Sequence, residues 1–86
     1  MVRQNTYAGI EQALTLHQQA LAIDPSYVEA WLGLGGVYGN MGFLGLGQRP
    51  AAENFRLAHE AVEKALAIDP DYAPAHAYLG WIAIGA

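Results

Sequence analysis

The sequence predicts an all-α fold of about four helices. Three observations lead to that class: a segment that occurs twice, two prolines that end helices, and apolar residues spaced three and four positions apart. No stretch alternates apolar and polar residues for long enough to indicate a β-strand. The 86 residues make one small domain at most, so we expect marginal stability.

The repeated segment sets the register of the chain. Residues 20–27, ALAIDPSY, recur as residues 65–72, ALAIDPDY, at an offset of 45 residues. The likeness continues downstream at the same offset, where Ala30, Leu34 and Gly35 are matched by Ala75, Leu79 and Gly80. Repetition at a fixed offset is typical of helical repeat proteins.

Prolines and capping residues predict the helix ends. A proline disfavours helix in the residue before it, so Pro25 and Pro70 end two helices. Ser26 and Glu29 have the spacing of a capping box that begins the next helix, and Asp71 is the predicted N-cap at the second copy. The predicted helices span residues 6–23, 27–40, 51–68 and 72–84.

A loop is predicted at residues 41–50, between the second and third helices. The three glycines at positions 42, 45 and 47 raise the cost of a helix there, and Pro50 suits the first position of the next helix.

Composition argues against several classes of partner. The four Lys and Arg residues, within a net charge of −4, cannot form the basic surface that nucleic acid requires. No apolar run approaches the roughly 20 residues of a membrane-spanning helix, so a membrane is not an expected partner either. The absence of cysteine fits a reducing compartment, and we expect a cytoplasmic location.

No catalytic, metal or cofactor site is predicted. Residues 59–63, HEAVE, superficially resemble a metalloprotease helix, but glutamate replaces the second histidine. The single serine, Ser26, is assigned to a cap, and the glycines of residues 42–47 lack the lysine of a phosphate-binding loop. His17 lies on an apolar helix face, where a packed side chain is expected. We therefore expect that the chain is not an enzyme.

Residues of the second predicted helix carry a family resemblance. The pattern W-x-x-L-G-x-x-Y is present in full at Trp31, Leu34, Gly35 and Tyr38. It resembles the first helix of the tetratricopeptide repeat (TPR) family. The second TPR helix and its terminator are matched by Ala58, Val62 and Pro70, with valine in place of the usual phenylalanine.

Both ends of the chain fit the same frame. Ala13, His17 and Pro25 match the end of a preceding repeat. Leu79 and Gly80 match the start of a following one, in which His76 and Ala83 replace the signature tryptophan and tyrosine. The resemblance implies antiparallel helical hairpins in a fragment of a right-handed superhelix.

The resemblance also predicts that residues 1–86 are a single TPR domain fragment and how this fragment divides into repeats. Residues 6–23 would be the second helix of one repeat, residues 27–68 one complete repeat with an expanded loop, and residues 72–84 the first helix of the next. The family repeat has about 34 residues, so the 45-residue offset leaves a surplus of about 11 at the loop. This expansion resembles TPR arrays of bacterial signalling proteins that carry nucleotide cyclases, kinases or winged-helix regulators.

In TPR proteins the first helix of each repeat lines a concave groove that binds partners. The corresponding residues here are Glu29, Leu32, Gly33, Gly36, Gly39, Asn40, Ala77, Tyr78, Trp81 and Ile84. Only Glu29 is charged, so a clamp for a C-terminal carboxylate is not expected. The glycines at positions 33, 36 and 39 would admit a partner's backbone, or they leave room for the chain's own loop, or they reflect weak selection on this helix.

The resemblance therefore predicts a protein-protein interaction scaffold that binds a peptide or helix in a small apolar groove. The alternative function is self-association as a homo-oligomer through exposed terminal helices.

Overall fold

The computed structural model describes the backbone of residues 2–45 and 49–85, and the side chains of residues 9–45 and 49–85. It contains four α-helices: α1 (Val2–Ile23), α2 (Val28–Leu44), α3 (Ala51–Ile68) and α4 (Ala73–Gly85). No strand is present in these residues, and the prediction of an all-α, TPR-type fold is confirmed.

Helix α2 lies at the centre of the fold. It packs against all three other helices, most extensively against α3, and α4 packs against both α2 and α3. The buried apolar residues come from all four helices: Leu21, Ala30, Leu32, Leu34, Val37, Tyr38, Met41, Phe55, Ala58, Ala61, Val62, Ala65, Ala75 and Ile82. The core is therefore built around the α2–α3 pair, with one helix added on either side.

A glycine allows α2 and α3 to approach closely. A Cβ atom at Gly35 would lie 2.7 Å from Cγ2 of Val62 and 3.3 Å from the carbonyl oxygen of Ala58. Real side chains do not tolerate the shorter of these distances, so any larger residue at position 35 would push the two helices apart. The glycine of the repeat pattern is thus a packing position.

The predicted end of the second helix is wrong. α2 continues past residue 40 to Leu44, and it ends at Gly45, whose φ of 66° lies in the left-handed region. Gly42 stays helical because it is buried against the ring of Phe55, and this packing outweighs the low helix propensity of glycine. Residues 46–48 of the predicted loop lie outside the described residues.

The predicted start of the first helix is also wrong, because α1 begins at Val2 and not near residue 6. No glycine or proline stands between Val2 and Ala8 to interrupt the helix.

Both predicted side-chain caps are wrong as well. Ser26 does not cap α2. Its hydroxyl donates to Oδ1 of Asp24 at 2.8 Å, and Tyr27 precedes the helix without a side-chain capping bond. At the second turn α4 begins at Ala73, so Asp71 is not the residue before it, and the backbone N–H of Asp71 donates to Oδ1 of Asp69 at 3.2 Å. In each turn the aspartate before the proline accepts a hydrogen bond from the residue after the proline. That later residue therefore belongs to the turn and does not cap the next helix.

Candidate functional site

A groove runs between α2 and α4, the two helices that carry the predicted groove residues. It has a volume of about 400 Å³. Its lining consists of five of the ten predicted residues: Gly36, Asn40, Ala77, Tyr78 and Trp81. Gly36 and Asn40 stand four positions apart on α2, and Ala77 and Tyr78 stand four and three positions before Trp81 on α4. Residues at these spacings share one helix face, and the contact between the two helices brings the faces together.

The floor of this α2–α4 groove is already occupied by the chain's own aromatic rings. A Cβ atom at Gly36 would lie 3.1 Å from Cε2 of Tyr78, and one at Gly39 would lie 2.5 Å from Cζ3 of Trp81. The glycines therefore let the two aromatic side chains of α4 rest directly on the backbone of α2. Gly39 is buried and offers no backbone to a partner, whereas Gly36 is half-buried and lines the groove.

The other predicted groove residues lie elsewhere. Gly33 seats the imidazole ring of His17 from α1, whose Nε2 and Nδ1 atoms would lie 2.6 and 2.8 Å from a Cβ at that position. Leu32 is buried in the core, whereas Glu29 is exposed on the first turn of α2. Ile84 is 81% exposed near the end of α4. These four residues do not line the α2–α4 groove.

An aromatic cluster fixes the position of Trp81. The ring of Phe43 stacks on Trp81 with centroids 5.1 Å apart, and it meets Phe55 edge to face at 4.9 Å. Tyr78 packs against Trp81 at 5.6 Å. Phe43 supports Trp81 from beside the groove, but it falls in the predicted loop and is therefore not among the predicted groove residues. Its position four residues after Gly39, on the face of α2 that meets α4, was the available signal.

A second, larger cleft of about 870 Å³ lies between α3 and α4. Its apolar wall includes Phe55, Leu79, Ile82 and Ala83. No site residue was predicted here, although α4 is apolar nearly all round in the sequence, which indicates a helix that packs on more than one side.

The charged groups near the α3–α4 cleft pair with one another. Arg56 donates to Glu60 at 2.6 Å and to Glu53 at 3.0 Å. The hydrogen bond to Glu53, followed by the charge of Glu60, raises the pKa of the Arg56 guanidinium. All three side chains are about half exposed, so the charges of this cluster are screened by solvent.

In the part of the chain that the structure describes, no three His, Cys, Asp or Glu side chains lie close enough together to hold a metal ion. None of the described helices is both long and apolar enough to cross a membrane.

Comparison with known proteins adds one match. The TPR repeat family matches residues 10–42, which cover most of α1 and nearly all of α2. No curated protein matches the chain, and no solved structure matches it either. The match ends at Gly42, inside residues 41–50, where the expanded loop is predicted. Residues 10–42 are therefore similar to the TPR repeat family, within a chain whose fold is all-α and of TPR type.

Proposed function

We propose that the chain is a protein-protein interaction scaffold that binds a peptide or helix in the α2–α4 groove. TPR repeats generally mediate such interactions, and residues 10–42 are similar to them. The observation that supports this groove is that α2 and α4 bring five of the ten predicted residues to one surface. The proposed role involves no catalysis.

The lining of the groove indicates the chemistry of the ligand. Tyr78 and Trp81 present partly exposed aromatic surface, and Ala77 adds a small apolar wall. Asn40 is exposed and can both donate and accept hydrogen bonds. Among the residues that the structure describes, no Lys, Arg, Asp or Glu lines the groove. The expected ligand is thus an uncharged peptide segment. It would insert an apolar or aromatic side chain into the groove and form backbone hydrogen bonds with the side chain of Asn40.

Two exposed alanines on α4 provide a matched test. Ala77 lines the α2–α4 groove, and Ala83 lines the α3–α4 cleft on another face of the same helix. Peptides are selected from a displayed random library against the 86-residue chain, and each is then tested against Ala77→Arg and Ala83→Arg. Position 77 is preferable to Gly36, because a Cβ at Gly36 would lie 3.1 Å from Cε2 of Tyr78 and the ring would have to shift.

The proposal predicts selected peptides whose binding is lost in Ala77→Arg and kept in Ala83→Arg. Circular dichroism of both variants controls for folding. Binding that is indifferent to Ala77→Arg would rule out the α2–α4 groove as the site.

The second candidate function is self-association through the terminal helices. The observation that favours it is the exposure of large apolar side chains on α1 and α4, such as Leu16 at 57% and Ile84 at 81%. The cytoplasmic location, the division into one complete and two partial repeats, and the origin in a bacterial signalling protein stay predictions.

A further inference from the structure

Helix α4 leaves open a face whose equivalent on α2 is covered. At the 45-residue offset, α4 repeats α2, so each residue of the covered face has a counterpart. Leu34, Gly35 and Tyr38 of α2 are buried. Their counterparts are Leu79, which is half-buried, and Gly80 and Ala83, which are exposed. This open face of α4 borders the cleft of about 870 Å³.

Helix α1 has the complementary open face. At the same offset α1 repeats α3, the helix that covers α2. Ala61 belongs to the buried stripe of α3 and is 3% exposed, whereas its counterpart Leu16 on α1 is 57% exposed. Ala58 lies beneath Gly35 and is fully buried, whereas its counterpart Ala13 is only half-buried. Each terminal helix therefore exposes one half of the contact that joins α2 to α3.

We propose that α1 of a second copy of this chain packs on α4 in the way that α3 packs on α2, which joins copies head to tail. The inference rests on self-association, the second proposed function, and assigns it a surface. Gly80 is the counterpart of Gly35, and among the described residues no atom outside its own helix lies within 4 Å of a Cβ built there. The open space admits the backbone of the second copy near its Ala13, as Gly35 admits the carbonyl of Ala58.

Charge does not oppose this contact. Residues 73–85 contain no Asp, Glu, Lys or Arg, and residues 9–23 contain only Glu11. The net charge of −4 is thus carried mostly by other parts of the chain. Two copies can bring these surfaces together without burying like charges, which is the arrangement expected at the core of a contact between identical proteins.

The contact is heterologous, because one copy contributes α4 and the other contributes α1. Each copy can then bind one neighbour at either end, and assembly continues unless a face is blocked. This property separates the proposed contact from a symmetric dimer, in which both copies use the same face.

The test uses one blocking variant for each face. Leu16→Arg blocks the α1 face and Ala83→Arg blocks the α4 face. Both positions are exposed in the single chain, so neither change disturbs its core. Ala77→Arg, on the other groove of α4, is the matched control. Sedimentation velocity of the full chain over a wide concentration range reports the size of the assemblies.

The expected result is concentration-dependent assembly of the parent chain and of Ala77→Arg, with each blocking variant alone monomeric. An equimolar mixture of Leu16→Arg and Ala83→Arg should form a dimer and nothing larger, because one intact copy of each face remains. Assembly that persists in both single variants would overturn the pairing of α1 with α4. Self-association would then occur through another surface. A parent chain that is monomeric at every concentration would overturn both the α1–α4 pairing and self-association. The open face of α4 would then be available to a helix of another protein.

Discussion

The indole Nε1 of Trp31 donates a hydrogen bond to the carbonyl oxygen of Pro25 at 2.8 Å. The same link recurs at the second copy of the repeated segment, where Nε2 of His76 lies 2.9 Å from the carbonyl oxygen of Pro70. A carbonyl oxygen only accepts, so Nε2 of His76 carries the hydrogen in this contact. Histidine therefore holds the second turn as tryptophan holds the first.

These two links predict that substitutions at position 76 are ranked by hydrogen bonding. We expect His76→Phe to lower the free energy of unfolding by about 1 kcal/mol, because the link to Pro70 is lost. His76→Trp should retain most of the stability, since an indole can donate to the same carbonyl. Urea denaturation measures both variants. Equal stability of the two would show that the bond contributes nothing.

The contact between Gly39 and Trp81 predicts a large effect of one methyl group. Gly39→Ala would place Cβ about 2.5 Å from the indole ring, which Phe43 and Tyr78 hold in position. We expect a loss of about 1 to 3 kcal/mol in the free energy of unfolding as α4 is displaced.

Gly80→Ala is the matched control, because open space surrounds position 80. This variant should gain up to about 1 kcal/mol from helix propensity, measured at low protein concentration. Equal effects of the two alanines would contradict the described packing of α4 on α2.

The left-handed backbone at Gly45 predicts a cost for any side chain there. Gly45→Ala should lower the free energy of unfolding by about 1 kcal/mol, because φ is 66° and a Cβ is disfavoured in that region. Gly45→Asn should cost less, since asparagine tolerates this conformation. Thermal unfolding followed by circular dichroism ranks the three chains. An alanine variant as stable as the parent would indicate that α2 ends differently.

The ion pairs of Arg56 predict no effect on stability. Although its two glutamate partners raise the pKa of Arg56, its side chain is more than half exposed, and exposed pairs are screened by water and salt. Arg56→Ala should leave the urea midpoint unchanged at low and at high salt. A shift that is present at low salt and absent at high salt would show that the pairs do stabilise α3.

The sequence predicted the features that depend on local chemistry. Pro25 and Pro70 end their helices as expected, and the 45-residue repeat correctly indicated two equivalent turns. The groove residues that local spacing could place together, such as Ala77 and Trp81, do share one surface.

Features that depend on tertiary packing were missed. Gly42 and Phe43 are helical because Phe55, Trp81 and α4 pack against them. Helix propensity and short-range spacing cannot predict those contacts. Three explanations were open for the glycines at positions 33, 36 and 39 of α2. The structure adds a fourth, in which these glycines make room for the rings of His17 from α1 and of Tyr78 and Trp81 from α4. Those rings lie far from the glycines in sequence, so spacing alone could not identify them.

Isothermal titration of one selected peptide tests the central claim, that the α2–α4 groove binds protein segments. The parent chain, Ala77→Arg and Ala83→Arg are titrated with the same peptide. We expect saturable binding to the parent and to Ala83→Arg, and no detectable binding to a folded Ala77→Arg. Equal affinity for all three chains would contradict it.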